Sequence, residues 1–303
     1  IYSMKILITG ANGLLGQCLV RQAIAKNYKV VGIGKGPDRL LSANLEGYAY
    51  IELDITDGTA LQNFILADQP DIIVHAAAMT QVDACELNKP ECYNVNVTAT
   101  RFLIGAAEEI RAKLIFLSTD FIFDGQKGPY AEEDEPSPVN YYGSAKLAAE
   151  KAVMESKLEW AIIRTALVYG IGQTPGRRNI ISLITENLQA SKPIRMVDDQ
   201  WRTPTFVQDL AKGVLLVIEK NARGVFHLSG DQLATPYDMA VATAKFLGLD
   251  GSLIERVSSD ELHQPAVRPP RTGFIIDKAK KELGFEPVSL ERGLQELYLD
   301  QRD

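Results

Sequence analysis

Tyr142 and Lys146 bound the run YGSAK, a phenol and an ammonium four positions apart. On a helix that spacing puts both groups on one face. A phenol titrates near 10 in water, and a neighbouring cation favours its ionised form and lowers that value. A tyrosine tuned in this way can give a proton to a carbonyl oxygen as hydride reaches the carbon. The bland alternative is a solvated helix face, because a chain with 11 tyrosines contains such spacings by chance. The pair therefore takes its meaning from what precedes it. Gly10, Ala11, Asn12, Gly13, Leu14, Leu15 and Gly16 stand between an apolar run at 4–9 and a helix-like pattern at 17–26. This reads as strand, glycine turn and helix. In such a turn the glycines permit a tight bend and let the backbone approach a pyrophosphate, which rests against the positive end of the helix. Gly10, Asn12, Gly13, Leu14, Leu15 and Gly16 are accordingly expected to hold a dinucleotide.

The elements that would position these groups follow from periodicity. Strand-like segments recur at 28–33, 48–53, 71–75 and 113–117, separated by helical patterns such as 60–66 and 99–110. This alternation predicts an α/β fold, a doubly wound parallel (Rossmann) sheet. Ligands of such sheets collect at the carboxyl ends of the strands. Gly34 and Lys35, Asp54, Ala76 to Ala78 and Ser118 to Asp120 fall at those ends. An NAD site wants an acid at the end of the second strand to accept from the ribose 2'-hydroxyl. Here the order is Gly34, Lys35, Gly36, Pro37, Asp38, Arg39. With no acid at the strand end, and with Lys35 and Arg39 able to neutralise a 2'-phosphate, NADPH is the expected cofactor. NADH is the second choice, since Asp38 lies close enough to rotate in.

A helix is expected at 140–156 and a strand at 160–164. Beyond them the alternation weakens into helices at 178–189, 207–219 and 238–247 and short strands at 193–197 and 224–228. The expected division is a dinucleotide-binding core over 4–165. Residues 166–303 would then add further core elements and a smaller α/β lobe that closes over the cleft. Gly172 to Gly176, with Pro175 and the adjoining Arg177 and Arg178, reads as a basic loop, either a ligand cover or a plain connector.

Composition narrows the partners. A net charge of -7 disfavours nucleic acid and anionic membrane surfaces, so an anionic ligand must be held locally. No apolar run reaches the roughly 18 residues of a spanning helix, and no signal-peptide pattern opens the chain. Three scattered cysteines, Cys18, Cys85 and Cys92, suit a reducing compartment, and a cytoplasmic protein is expected. His75, His227 and His263 form no ligand cluster, so no metal is expected, and His75 reads as a packed, hydrogen-bonded imidazole. Ile1, Tyr2 and Ser3 precede Met4, which is expected to be the natural start.

ITGANGLLG, HAAA, LSTD and YGSAK stand here in the order found in extended short-chain dehydrogenases/reductases, and the chain resembles that superfamily. STDFIFDG, GPYAEEDEPSPVNYYGSAK with Glu150, and DDQWRTPTFVQDLA are similar to the dTDP-4-dehydrorhamnose reductase group of nucleotide-sugar reductases. The resemblance implies that Thr119 hydrogen-bonds the substrate carbonyl, that Tyr142 is the proton donor, and that Lys146 binds nicotinamide ribose and lowers the tyrosine pKa. Whether Ser118 or Thr119 faces inward is left open by spacing. It further places Asp54 and Ile55 beside adenine, Ala76, Ala77 and Ala78 along the nicotinamide riboses, and Asp120 and Phe121 beside the sugar.

A nucleotide-sugar diphosphate needs cations, for which Arg202 and Arg268 are the candidates, because arginine offers a planar fork suited to phosphate. Ion pairing with Asp198, Asp199 or Asp209 is the alternative for Arg202. Two positions depart from the group. Phe121 stands where tyrosine is usual, and Trp201 and Arg202 replace the glycine-containing stretch of DQxGxPT. The expectation is thus an NADPH-dependent reductase of a nucleotide-activated deoxy sugar, with a homodimer left open. Its rivals are an epimerase or dehydratase that retains NAD, and a non-catalytic NADP-binding regulatory subunit.

Overall fold

The computed structural model describes residues 4–40, 45–171 and 179–298. The basic loop expected at 172–178 and residues 1–3 lie outside them. The first half builds β1 (Lys5–Thr9), α1 (Leu14–Ala25), β2 (Lys29–Gly34), β3 (Tyr48–Glu52), α2 (Gly58–Asp68) and β4 (Ile72–His75). It continues through α3 (Val82–Leu87), α4 (Lys89–Tyr93), a π-helical turn Asn94–Thr98, α5 (Ala99–Ile110), β5 (Lys113–Thr119), α6 (Tyr141–Glu155) and β6 (Trp160–Thr165). The second half adds β7 (Val168–Tyr169), α7 (Ile180–Gln189), β8 (Ile194–Val197), β9 (Thr205–Phe206), α8 (Val207–Glu219) and β10 (Gly224–His227). It closes with α9 (Pro236–Leu247), β11 (Ile254–Val257), α10 (Ser259–Leu262), α11 (Asp277–Leu283) and α12 (Leu290–Tyr298).

Seven strands form one parallel sheet in the order β10-β6-β5-β4-β1-β2-β3. Every residue of β4 and β5 is buried, as befits strands covered on both faces. Ile6, Ile8, Ile115 and Ile163 face α1 and α8 on one side, where Leu19, Val20, Leu210 and Val214 complete the core. Leu7, Ile73, Leu114 and Phe116 face the other side, against Leu61, Ile65, Leu103 and Ala149. The chain winds from β1 toward β3, then returns to β4 and runs the opposite way. The crevice between β1 and β4, at their carboxyl ends, is where such a sheet takes a ligand.

Away from the sheet, β8 pairs with β11 and β7 with β9. Ile184, Leu188, Ile194, Met196, Ala240 and Ile254 form a separate apolar cluster there. β10, although it follows α8 in sequence, adds an edge strand to the main sheet by pairing with β6. Among the described residues no helix is long and apolar enough to cross a membrane.

Candidate active site

At the mouth of the crevice the backbone turns on Gly10 and Gly16. Gly10 holds φ +73°, and a Cβ there would lie 2.8 Å from the Ala77 nitrogen. A Cβ on Gly16 would overlap the Gly10 carbonyl oxygen. Gly13 is the N-cap of α1 and supplies no side-chain cap, so the amides of Leu14, Leu15 and Gly16 keep their hydrogens for an external acceptor. A diphosphate fits this cradle by charge and by space. The facing loop Ala76 to Ala78 is braced from below. His75 is buried between the Thr9 hydroxyl at 2.7 Å and the Thr100 hydroxyl at 3.0 Å, and the Ala77 amide donates to Thr9 at 3.1 Å. Burial holds the His75 imidazole down at about 3, so it is neutral.

Asn12, within the glycine turn, is engaged through its side chain. Its side chain donates to the carbonyls of Lys35 and Pro37 and accepts from the Arg39 amide, which makes it the clasp of the loop after β2. That loop carries the cations expected near a 2'-phosphate. Lys35 is exposed and pairs with Asp54 at 2.8 Å, and Asp38 accepts from the Leu40 amide and the Tyr48 hydroxyl. Ile55 is buried beside Asp54.

α6 carries the phenol and the amine. Asn140 caps it by accepting from the Gly143 amide at 2.8 Å, and Gly143 lies so close to the Phe121 carbonyl that any side chain there would collide with it. Tyr142 is thereby fixed against the end of β5, next to Thr119, with its ring edge-on to Phe121 at 5.9 Å. Thr119, and not Ser118, meets the phenol; the Ser118 hydroxyl is buried and has no partner among the described residues.

One expectation about this pair is corrected by the structure. Lys146 turns back toward the sheet, donates to the Leu117 carbonyl at 2.7 Å, and lies 4.1 Å from the Phe116 ring centre. Burial pushes the Tyr142 phenol up; the Thr119 hydrogen bond opposes this, and the charge of Asp120 adds to it. The phenol is therefore held protonated rather than made acidic. Burial also brings Lys146 down to about 8, with Glu150 opposing.

The arginines expected to face a diphosphate are likewise engaged within the protein. Arg202 is only 3 % exposed; its Nε lies 3.3 Å from Asp120 Oδ2, while its Nη1 and Nη2 donate to the carbonyls of Trp201 and Pro269. Its partner is thus Asp120, and none of the three acids suggested by proximity in sequence. Arg268 pairs through both terminal nitrogens with Asp83 and donates to Ala266. Neither guanidinium is a free cation.

Three features escaped the sequence analysis. Asn96, in the π-helical turn, grips both the amide and the carbonyl of Met79, at 2.9 and 3.0 Å. Thr272, far along the chain, donates to Asp120. Glu150 and Arg164 form a buried ion pair at 2.8 Å beneath α6. Cys18, Cys85 and Cys92 are all free and buried, as small hydrophobes would be.

Residues 4–302 match the family model described as the RmlD substrate binding domain. A dTDP-4-keto-6-deoxy-D-glucose reductase of Streptomyces niveus is 34% identical, over 93% of this chain and 92% of its own. Methionine adenosyltransferase 2 subunit beta of Rattus norvegicus is also 34% identical, over 84% of this chain and 76% of its own. The fold is similar to a crystal structure of dTDP-4-dehydrorhamnose reductase from Bacillus anthracis in complex with NADP. That likeness has a TM-score of 0.87 and 27% identity over 99% of this chain and 100% of the other.

Proposed function

The chain belongs to the RmlD substrate-binding family of extended short-chain dehydrogenases/reductases, and from that premise we propose that it reduces the keto group of a nucleotide-activated deoxy sugar with NADPH. The observation that carries the reading is the burial of Thr119, Tyr142 and Lys146 together, with Lys146 one turn along α6 from Tyr142, at the carboxyl end of β5 beside the glycine cradle. NADPH, when bound, supplies the hydride. The chain's own residues do the rest. Gly10, Gly13 and the free amides of Leu14 to Gly16 receive the diphosphate, while Ala76 to Ala78, Asp54 and Ile55 line its path. Lys35 and Arg39 are the cations for a 2'-phosphate, which requires Lys35 to leave Asp54.

Tyr142, protonated because it is buried, gives its proton to the carbonyl oxygen as the carbon is reduced. A donor already aimed at the developing oxyanion lowers the barrier without solvent rearrangement. Lys146 sits within the same buried region, donating to the Leu117 carbonyl, and is the candidate to hold the nicotinamide ribose. The test is a panel of dTDP- and UDP-linked keto sugars with NADPH and NADH, followed by loss of nicotinamide absorbance. Turnover of one dTDP-linked 4-keto sugar, faster with NADPH, is expected; no turnover of any keto sugar would withdraw the reading.

The likeness to the beta subunit of methionine adenosyltransferase 2 favours a second reading, a subunit that binds NADP without turning it over. It predicts cofactor binding, no keto-sugar reduction and a stable complex with a partner enzyme.

A further inference from the structure

The segment after β4 packs directly on the glycine cradle: a Cβ on Gly10 would lie 2.8 Å from the Ala77 nitrogen and 3.0 Å from the Ala76 carbonyl carbon. The height of that segment therefore sets the width of the crevice between β1 and β4. Two routes of side chains hold it, and both are rooted in one place. Asn96, only 2 % exposed, accepts from the Met79 amide and donates to the Met79 carbonyl. The other route runs from the Ala77 amide through Thr9, His75 and Thr100 to the carbonyl of the same Asn96. Asn96 lies in the π-helical turn, a rare form that recurs at functional sites.

Counting protons fixes the direction of every bond in this circuit. A carbonyl only accepts, so the single hydroxyl proton of Thr100 goes to Asn96 at 2.9 Å. Thr100 can then only accept from His75, whose Nε2 lies 3.0 Å away and must carry the imidazole proton. A neutral imidazole has one N–H. Its Nδ1 is therefore bare and accepts from the Thr9 hydroxyl at 2.7 Å, while the Thr9 oxygen accepts from the Ala77 amide at 3.1 Å. Burial and the facing charge of Lys146 keep a second proton off the ring. All four bonds point the same way, an arrangement in which each polarises the next. With the proton on Nδ1 instead, Nε2 would face a threonine that has no hydrogen left to give.

We propose that His75, held as the Nε2–H tautomer, is a positioning residue for the reduction: it carries the hydrogen-bond circuit that fixes Ala77 to Met79 against the glycine cradle at the spacing NADPH requires. The proposal rests on the reductase reading above, which lays the cofactor along Ala76 to Ala78. His75 is itself only 1 % exposed and acts through that segment. The molecule contains its own control. His227 Nδ1 lies 3.1 Å from the Tyr130 carbonyl, so this second buried imidazole carries its proton on the opposite nitrogen.

The first measurement is a proton–nitrogen NMR correlation on protein labelled at its 3 histidines. One Nε2–H ring should vanish in His75→Gln, and one Nδ1–H ring in His227→Gln; a His75 ring protonated on Nδ1 overturns the inference. The second compares NADPH affinity, by fluorescence titration, with kcat and melting temperature for the wild type, Thr100→Val and Thr100→Ser. Thr100→Val should raise the Kd for NADPH about three- to tenfold, the net worth of about one hydrogen bond, with kcat at saturating NADPH little changed. Thr100→Ser keeps the hydroxyl and should bind as the wild type does. A Thr100→Val protein that melts lower yet binds NADPH like the wild type assigns the circuit to stability alone and overturns the inference. A wild type that binds no NADPH overturns the reductase reading, and the inference with it. If Thr100→Val does not fold, Thr100→Ala and the tautomer of His75 decide the matter.

Discussion

Tyr142 and Lys146 were legible because their spacing alone places them on one helical face. Their protonation was not, because it depends on burial, which a spacing does not reveal. In the fold the amine reaches the Leu117 carbonyl and the Tyr142 ring is buried edge-on to Phe121, so desolvation dominates the phenol. Replacing Tyr142 by Phe should lower kcat by about 10² to 10⁴, the range usual for a lost general acid, with NADPH binding nearly unchanged in a fluorescence titration. Lys146 titrates near 8. Its cation is present below that pH and lost above it, so NADPH affinity should weaken as pH rises through about 8, and Lys146→Met should flatten that dependence. The partners of Arg202 and Arg268 were hidden for a related reason: a guanidinium suits phosphate and carboxylate equally, and the acids that pair with them, Asp120 and Asp83, are distant in sequence.

The strands and helices expected up to α9 were placed within a few positions, and α5 and α8 matched their expected limits, whereas α3, α11 and α12 were not anticipated. The four-residue strands β4, β8 and β10 were expected, but the shortest pieces were missed. Two-residue strands such as β7 and β9, and one-turn helices such as α10, are too brief to show a period. The π-helical turn at Asn94–Thr98 was invisible because α4 and α5 continue the helical pattern on either side of it. The glycine turn was the most readable element, since its constraint is steric. Gly16→Ala should abolish NADPH binding and lower the melting temperature, because the added carbon overlaps the Gly10 carbonyl. Asn140→Ala removes the cap of α6 and should cost about 1 kcal/mol in a denaturant titration, with a larger loss in kcat than in stability if Tyr142 shifts with the helix.

For the molecule as a whole, acid is the vulnerability. His75 and His227 are both buried and held down at about 3, against about 6.5 in the unfolded chain. Between those values the unfolded state binds the extra protons, so stability falls as pH drops below about 6.5 and continues to fall toward about 3, by up to roughly 1 kcal/mol per pH unit for each imidazole. Melting temperatures across that window should decline steadily, and His227→Gln should reduce the slope. The doubly wound sheet was readable from strand and helix alternation. The origin of its last strand was not, because pairing between β10 and β6 joins segments some sixty positions apart, and nothing local in either segment announces the other.

That pairing bears on how the protein is made. A ribosome that has released the chain up to β6 has delivered every residue of the glycine cradle, along with Thr119, Tyr142 and Lys146. The edge of β6 nevertheless stays bare until β10 emerges, about 3 to 12 s later at ordinary rates of synthesis. During that interval an apolar strand offers unpaired amides and carbonyls to any neighbour, the situation in which nascent chains associate wrongly. A fragment ending at residue 165 should accordingly precipitate, whereas a longer one that includes β10 and α11 should stay dispersed.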